Sequence, residues 1–444
     1  MRVLREQLSK PEARKYLRGA AISFGCFLLA CGVNFFADVV LEHWSKHRDS
    51  NEQPSGLTRS LFEINSWYQT RLSAGLFKPI PKDTVIVAIT PASEPQFTGS
   101  SACMQRRLIA DLVRIVGSAS PKVVVLDKFF KPSLVCREQG GPIADADDKL
   151  REAVAWVSAR LPVVEANFIP EDKTYVEESM PLTGALLVTG VANRHLDHRR
   201  IELGRWAYDN ERDAASARKL EAKDWRPTIQ FAAAQAAVPA LLDVFPFLGE
   251  MVDSNTPPFT SFAGVNQQNR NEDAGRLPAY TPSWILCGRD RIGGIDDLKS
   301  CVKRGEHPDL RFLGNKVVVI GEYSDDMDWH ETVLGRVQGV ILVANYTESL
   351  LNRRYFWPAP WWVNGALGFL MFAGFHAVIH GPGVFWRVVG LVAMTAIAFV
   401  PIVILRGFFY YVNPMGLSLV SIAGKLLSSG GERIAERWRK RLDA

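Results

Sequence analysis

Between about residue 42 and residue 360 the chain has no hydrophobic run long enough to cross a bilayer, a task that needs ~20 apolar residues. The same stretch has no phosphate-binding glycine fingerprint, no GxSxG elbow and no HExxH helix. It has no CxxC pair beside a histidine cluster, which argues against a structural zinc site. Histidine is scarce, at 8 residues in 444, and no spacing links Ser, Cys and His into a triad. These absences remove the commonest hydrolase, kinase, dehydrogenase and metalloprotease chemistries. The chain is read as a non-enzyme, with no catalytic residue, cofactor or metal assigned.

Long apolar runs lie only at the two ends. One spans about Ala20 to Leu41, and a hydrophobic block extends from Trp361 to about Leu427. His380-Gly-Pro-Gly383 and Arg406-Gly407 divide that block into three lengths, from Trp361 to Ile379, Val384 to Leu405 and Phe408 to Leu427. Asn413-Pro414 interrupts the last of them. The first run continues through Val33, Phe35, Phe36, Val39 and Val40, too long for a cleaved signal peptide, so it is expected to be an uncleaved anchor. Arg2, Arg5, Lys10, Arg14, Lys15 and Arg18 precede it, and Arg433, Arg437, Arg439, Lys440 and Arg441 follow the last run. Positive flanks stay cytoplasmic. That rule predicts a cytoplasmic basic N-terminus at 1–19, a transmembrane helix at 20–41, and an extracytoplasmic domain at 42–360. Three transmembrane helices at 361–427 and a cytoplasmic basic tail at 428–444 complete the expectation. The localisation expected is the cell inner (plasma) membrane, multi-pass, with the large domain in the periplasm or outside. The lipid bilayer is then the partner of the basic flanks, and no nucleic acid is needed to explain the net charge of +5.

The middle of the chain reads as α/β. Thr84 to Ile89, Lys122 to Asp127 and Lys316 to Gly321 are short β-branched apolar runs of the kind found in strands buried on both faces. Val163 to Asn167 and Ala185 to Val191 are further strands. Leu108, Ile109, Leu112, Val113 and Val116 recur at helical spacing, with Gly117 and Pro121 expected to stop that helix. Asp145 to Ala159 and Val340 to Leu351 are amphipathic helices, and Arg226-Pro227 opens another. The expected fold is an α/β ectodomain with a mostly parallel sheet flanked by helices, plus four transmembrane helices, one N-terminal and three C-terminal. Leu242 to Arg311 is polar and turn-rich and reads as an irregular insertion; Arg199 to Lys223 reads as a hairpin followed by a helix.

An oxidising compartment makes Cys103, Cys136, Cys287 and Cys301 disulfide candidates. Four cysteines allow three pairings. If the first two strands are parallel neighbours, Cys103 and Cys136 share one sheet edge and can bond, leaving Cys287 and Cys301 to close a local loop.

Several segments occur in an order that resembles the cyclase/histidine-kinase-associated sensory extracellular (CHASE) domain family, type two. They are Val85-Ile-Val-Ala-Ile89 with Ser93-Glu94, Ala119 to Phe130 around Val-Val-Val-Leu-Asp127, and the acidic helix start Asp145-Ala-Asp-Asp148. Phe312 to Gly321, Gly339-Val-Ile-Leu-Val-Ala-Asn345 and Trp357-Pro-Ala-Pro-Trp-Trp362 complete the series. The likeness covers about residues 60 to 425. One departure is Val343, where the family often carries His. Another is the lack of a C-terminal transmitter domain beyond the last span. The resemblance implies a bacterial membrane-bound sensory or signal-input protein. It would sense an unknown extracytoplasmic ligand and signal through a separate cytoplasmic or membrane partner chain, with a homodimer an open option. The other-class alternative is an envelope structural or assembly protein whose ectodomain binds another protein.

Parallel sheets gather ligand sites at the C-terminal ends of their strands. Glu94, Asp127, Asp325, Asp326 and Asp328 all follow such ends and are the ligand-binding candidates. The last three belong to the run Glu322 to Glu331, whose spacing is not that of a calcium-binding loop; it reads first as a solvated loop, with a cation or polar ligand as the alternative. Arg194, His195, His198, Arg199 and Arg200 read as a solvated basic hairpin.

Overall fold

A computed structural model describes residues 82–91, 93–97, 102–132, 135–139, 141–169, 173–193, 203–215, 224–240, 277–323, 329–332 and 335–352, with short pieces at 357–358, 384–385, 388–390, 392 and 410–411. The chain divides into two compact units, Thr70–Phe356 and Met1–Gln69 together with Trp357–Ala444.

In the first unit the apolar β-branched runs form one sheet. Its strands are β1 (Thr84–Ile89), β2 (Val123–Asp127), β3 (Val163–Ile169), β4 (Leu187–Asn193), β7 (Ala279–Tyr280) and β8 (Val317–Glu322), in the order β4-β3-β2-β8-β1-β7. Every neighbouring pair is parallel. The last long strand therefore inserts between the first two, and β1 and β2 do not touch directly. Each of the three central strands is bonded on both sides and covered on both faces, which is why their sequences are apolar throughout.

Successive residues alternate between two cores. Val85, Val87, Val124, Leu126, Val318 and Ile320 face α1 (Ala102–Ser118) and α2 (Ala146–Ser158). Ile86, Ala88, Val123, Val125, Val317 and Val319 face α4 (Ile229–Ala237) and α7 (Gly339–Leu351). Gly190 on β4 shows how close the second layer comes, since an added Cβ would lie 2.5 Å from the Ile229 Cα. Gly117 does not end α1. It lies within the helix, where an added Cβ would meet Val157 of α2 at 2.5 Å, so its missing side chain serves helix packing.

Both expected disulfides form, with Cα separations of 5.5 Å for Cys103–Cys136 and 5.4 Å for Cys287–Cys301. The first joins positions at the same sheet edge across the intervening β8 rather than between adjacent strands. The loops they close, with sequence separations of 33 and 14 residues, correspond to about 3–4 kcal/mol each in the chain-entropy account.

Three local expectations change. Within Leu242 to Arg311, residues 277–311 are regular: β7 leads into α5 (Pro282–Cys287) and α6 (Ile295–Arg304), stapled by the second disulfide. In place of a hairpin followed by a helix, β5 (Gly204–Trp206) and β6 (Trp225–Pro227) pair antiparallel with α3 (Glu211–Ala215) between them. Pro227 ends β6, and Thr228 is the N-cap of α4. A further antiparallel pair, β9 (Trp329–Thr332) with β10 (Gly335–Gln338), follows β8. The basic run 194–200 lies outside the described residues.

In the second unit, β11 (Trp357–Pro358) pairs in parallel with β12 (Tyr410–Tyr411). Among the described residues no helix is long and apolar enough to cross a membrane. The expected spans lie almost entirely outside those residues.

Candidate functional site

The predicted carboxylates meet different fates at the C-terminal edge of the sheet. Glu94, just past β1, is completely buried. Its Oε2 accepts from the Thr90 amide at 3.0 Å and from the Ser93 hydroxyl, and its Oε1 accepts from the Ser283 amide at 2.9 Å and the Ser283 hydroxyl at 2.7 Å. Burial raises its carboxyl above the ordinary range, and the hydrogen bonds from Ser93, Ser283 and Thr90 oppose that rise. The side chain clamps the β1 exit onto the first turn of α5. Asp127 ends β2 opposite Gly321, and the next residue, Lys128, is paired with Glu322 at the end of β8. Asp325, Asp326 and Asp328 lie outside the described residues.

A buried ion pair fixes the loop that leaves β2. Arg106 of α1 is 1% exposed. It donates to Asp147 Oδ1 at 2.5 Å and to the Lys131 carbonyl at 2.6 Å. The other Asp147 oxygen accepts from the Cys136 amide at 2.8 Å. The acidic helix start seen in the sequence therefore supplies the counter-charge, and the Cys103–Cys136 disulfide closes the same cluster. Removing one member of such a pair typically costs ~3–5 kcal/mol, because the other is left buried and charged.

That anchored loop borders a cavity. The strap Lys173 to Leu182 crosses in front of β3 and β4. It is tied by Phe130 N to Ser179 Oγ at 3.2 Å, Met180 N to the Phe130 carbonyl at 2.7 Å and Ser179 N to Asn167 Oδ1 at 3.1 Å. Behind the strap is a cavity of about 290 Å³, lined among others by Glu165, Asn167, Glu178, Thr189, Asp209 and Arg226. A wider groove of about 770 Å³ adjoins it and reaches Phe129 and Lys131, sharing Val176, Glu178, Ser179, Pro181 and Asp209. Among the charged lining groups, Arg226 is paired with Asp209.

Glu165 is the unusual member. It is 4% exposed, and its Oε1 has no hydrogen-bond partner among the described residues. Burial pushes its carboxyl up to about 7; a hydrogen bond with Ser179 works against the rise, and the Glu178 carboxylate adds to it. The sequence reading passed over this residue as one position in a strand. The available signal was a carboxylate in phase with Val163, Asn167 and Ile169 in a mostly apolar strand. Among the described residues no group of His, Cys, Asp or Glu side chains could hold a metal ion.

Residues 57–378 match the family model described as the CHASE2 domain. No curated protein and no solved structure matched the chain.

Proposed function

Because the chain belongs to the CHASE2 domain family, a family of sensory extracellular domains, we propose that it is a membrane-anchored signal-input protein. Its α/β unit lies outside the inner membrane, takes up a ligand or partner, and signals through a separate chain. The ectodomain binds and does not catalyse. One N-terminal and three C-terminal crossings hold it, with both termini cytoplasmic and the domain spanning 42–360. Asp325, Asp326 and Asp328, which follow β8, remain candidates for its outer rim.

The observation that carries this reading is the junction at Glu348. This α7 residue is 3% exposed. Its carboxylate accepts from the Lys82 amide at 2.6 Å, the Asp83 amide at 3.1 Å and the Asn352 side-chain amide at 2.8 Å. One carboxylate thus ties the segment leading from the first hydrophobic run into β1 to the helix leading to the second run. A shift of the sheet is felt by both membrane-leading segments, which is what an input domain requires. Two further features favour the membrane arrangement. Val384 and Phe385 are 75% and 71% exposed, as suits side chains facing lipid. The parallel β11–β12 pair sets the leads into the Trp361 run and the last run side by side in the same direction, as two inward crossings demand. On this reading the last crossing begins beyond Asn413-Pro414.

A ligand moves such a device only through different affinities for its two states. Cross-linking and capture of the intact protein from its native membrane should recover a kinase, cyclase or transcription regulator. Recovery of only secretion or cell-wall components would overturn the sensory reading in favour of an assembly role. Reporter fusions after Ala444 and near Gly140 should report opposite sides of the membrane; the same side for both would remove the four-crossing arrangement.

A further inference from the structure

We infer that the cavity over β3 and β4 binds a small organic cation, with an ammonium group set against Glu165. The inference deepens the sensory reading and rests on it in taking this cavity as the input site.

Chemistry narrows the ligand in steps. The Glu165 side chain lines the cavity, and its buried Oε1 has no hydrogen-bond partner among the described residues. A buried carboxylate short of donors is costly to keep charged, and a ligand cation beside it offsets that cost. The sign of the ligand follows from the charges facing Glu165. They are Glu178 on the strap, Asp209 after β5 and Arg226 on β6. Arg226 is engaged by Asp209, so those two charges offset each other. Glu165 and Glu178 remain, and their field repels anions. A metal ion is disfavoured because the described side chains around the site supply no ligating group of His, Cys, Asp and Glu. Of the organic ligands left, neutral or cationic, a positively charged group gains most, because it forms a charge-assisted hydrogen bond with a carboxylate. A volume of about 290 Å³ suits a small molecule, at the low end for ligand cavities. Glu178 is exposed while Glu165 is buried, so the site has a carboxylate floor and a carboxylate rim. A short molecule with a cation at each end can meet both.

Proton traffic provides an independent readout. A carboxyl that titrates near neutrality is partly protonated at pH 7, and a bound cation favours its ionised form. Binding at that pH therefore releases protons from Glu165 to solvent. Glu178, Asp209 and Arg226 are the other charged groups facing it.

The test is calorimetric titration of the full-length protein in lipid nanodiscs. The probes are 1,4-diaminobutane and its uncharged counterpart 1,4-butanediol. The diamine should bind about tenfold or more tightly than the diol. Its heat at pH 7 should vary with the ionisation enthalpy of the buffer, and Glu165→Gln should abolish both the preference and the proton release. Thr189→Lys, which sets a positive charge on β4 in register with Glu165 at an exposed lining position, should also abolish diamine binding while the Glu165 carboxyl itself is retained. Equal binding of the two probes, no diamine binding, or retained preference in either variant would overturn the inference. Loss of diamine binding alongside successful capture of a signalling partner removes the ligand class alone. Diamine binding without any captured signalling partner leaves the ligand class standing and removes the sensory output.

Discussion

Glu94 and Glu165 are both buried carboxylates in the same parallel sheet domain, and both have their carboxyls raised by burial. Their surroundings differ. Glu94 receives hydrogen bonds from two amides and two hydroxyls, which stitch the β1 exit to α5. Glu165 keeps one oxygen without a donor among the described residues, and its side chain lines a cavity. Burial is therefore a poor guide to function, whereas satisfaction of the buried group separates the two roles. A fully bonded carboxylate is part of the scaffold; one held short of donors is available to something that enters.

The comparison can be broken most directly at Glu94. Glu94→Ala leaves the Thr90 and Ser283 amides buried without an acceptor and should destabilise the domain by about 3–4 kcal/mol. Urea unfolding would measure this; a cost below about 1 kcal/mol would mean that the clamp is dispensable.

Glu165→Gln should act in the opposite direction. A carboxyl raised from 4.5 to about 7 binds its proton more tightly in the folded state. Stability from the neutral form is therefore present below pH 4.5 and is lost as the pH rises through about 7. The amide variant should be more stable than the native protein at pH 8, by up to about 3 kcal/mol, and nearly equal to it at pH 4. Thermal unfolding at the two values decides the matter, and a constant difference across them would mean that Glu165 is not the titrating group.

The smallest effect sharpens the contrast between the two faces of β4. Gly190→Ala drives a methyl into the α4 backbone and should cost about 1–3 kcal/mol. Its neighbour Thr189, exposed on the cavity side, should tolerate Ala within about 0.5 kcal/mol. Equal costs at the two positions would contradict the assignment of one closed and one open face.

Much of the scaffold was legible because its signals are local. Val-Val-Val-Leu-Asp127 and Val-Val-Val-Ile-Gly321 are apolar on both strand faces, and only strands sandwiched between helix layers need that. Helical spacing from Leu108 to Val116 identified α1. The position of β8 was not legible, because no local pattern states which strand lies beside which. The disulfide Cys103–Cys136 was anticipated from a shared sheet edge, and the intervening strand did not disturb it because both cysteines lie beyond the strand ends. Trp284 to Arg289 was misread within an irregular lobe. Thr281-Pro282 is the start of a short helix, but its periodicity is too brief to stand out from the surrounding turns.

The site divides the same way. Asp127 and Glu94 could be placed at strand ends from the sequence alone. That Glu94 is consumed by Ser283, 189 positions away, is a property of the folded chain. Glu165 stood in plain view as a carboxylate in an apolar strand, yet its meaning depended on whether a partner reached it. By itself the sequence determined the parallel α/β class, the location of the hydrophobic ends and the family, because composition and periodicity are written residue by residue. Only the tertiary structure decided strand order, which carboxylate is satisfied and where a cavity remains. Those depend on distances between segments far apart in the chain, and no local pattern encodes them.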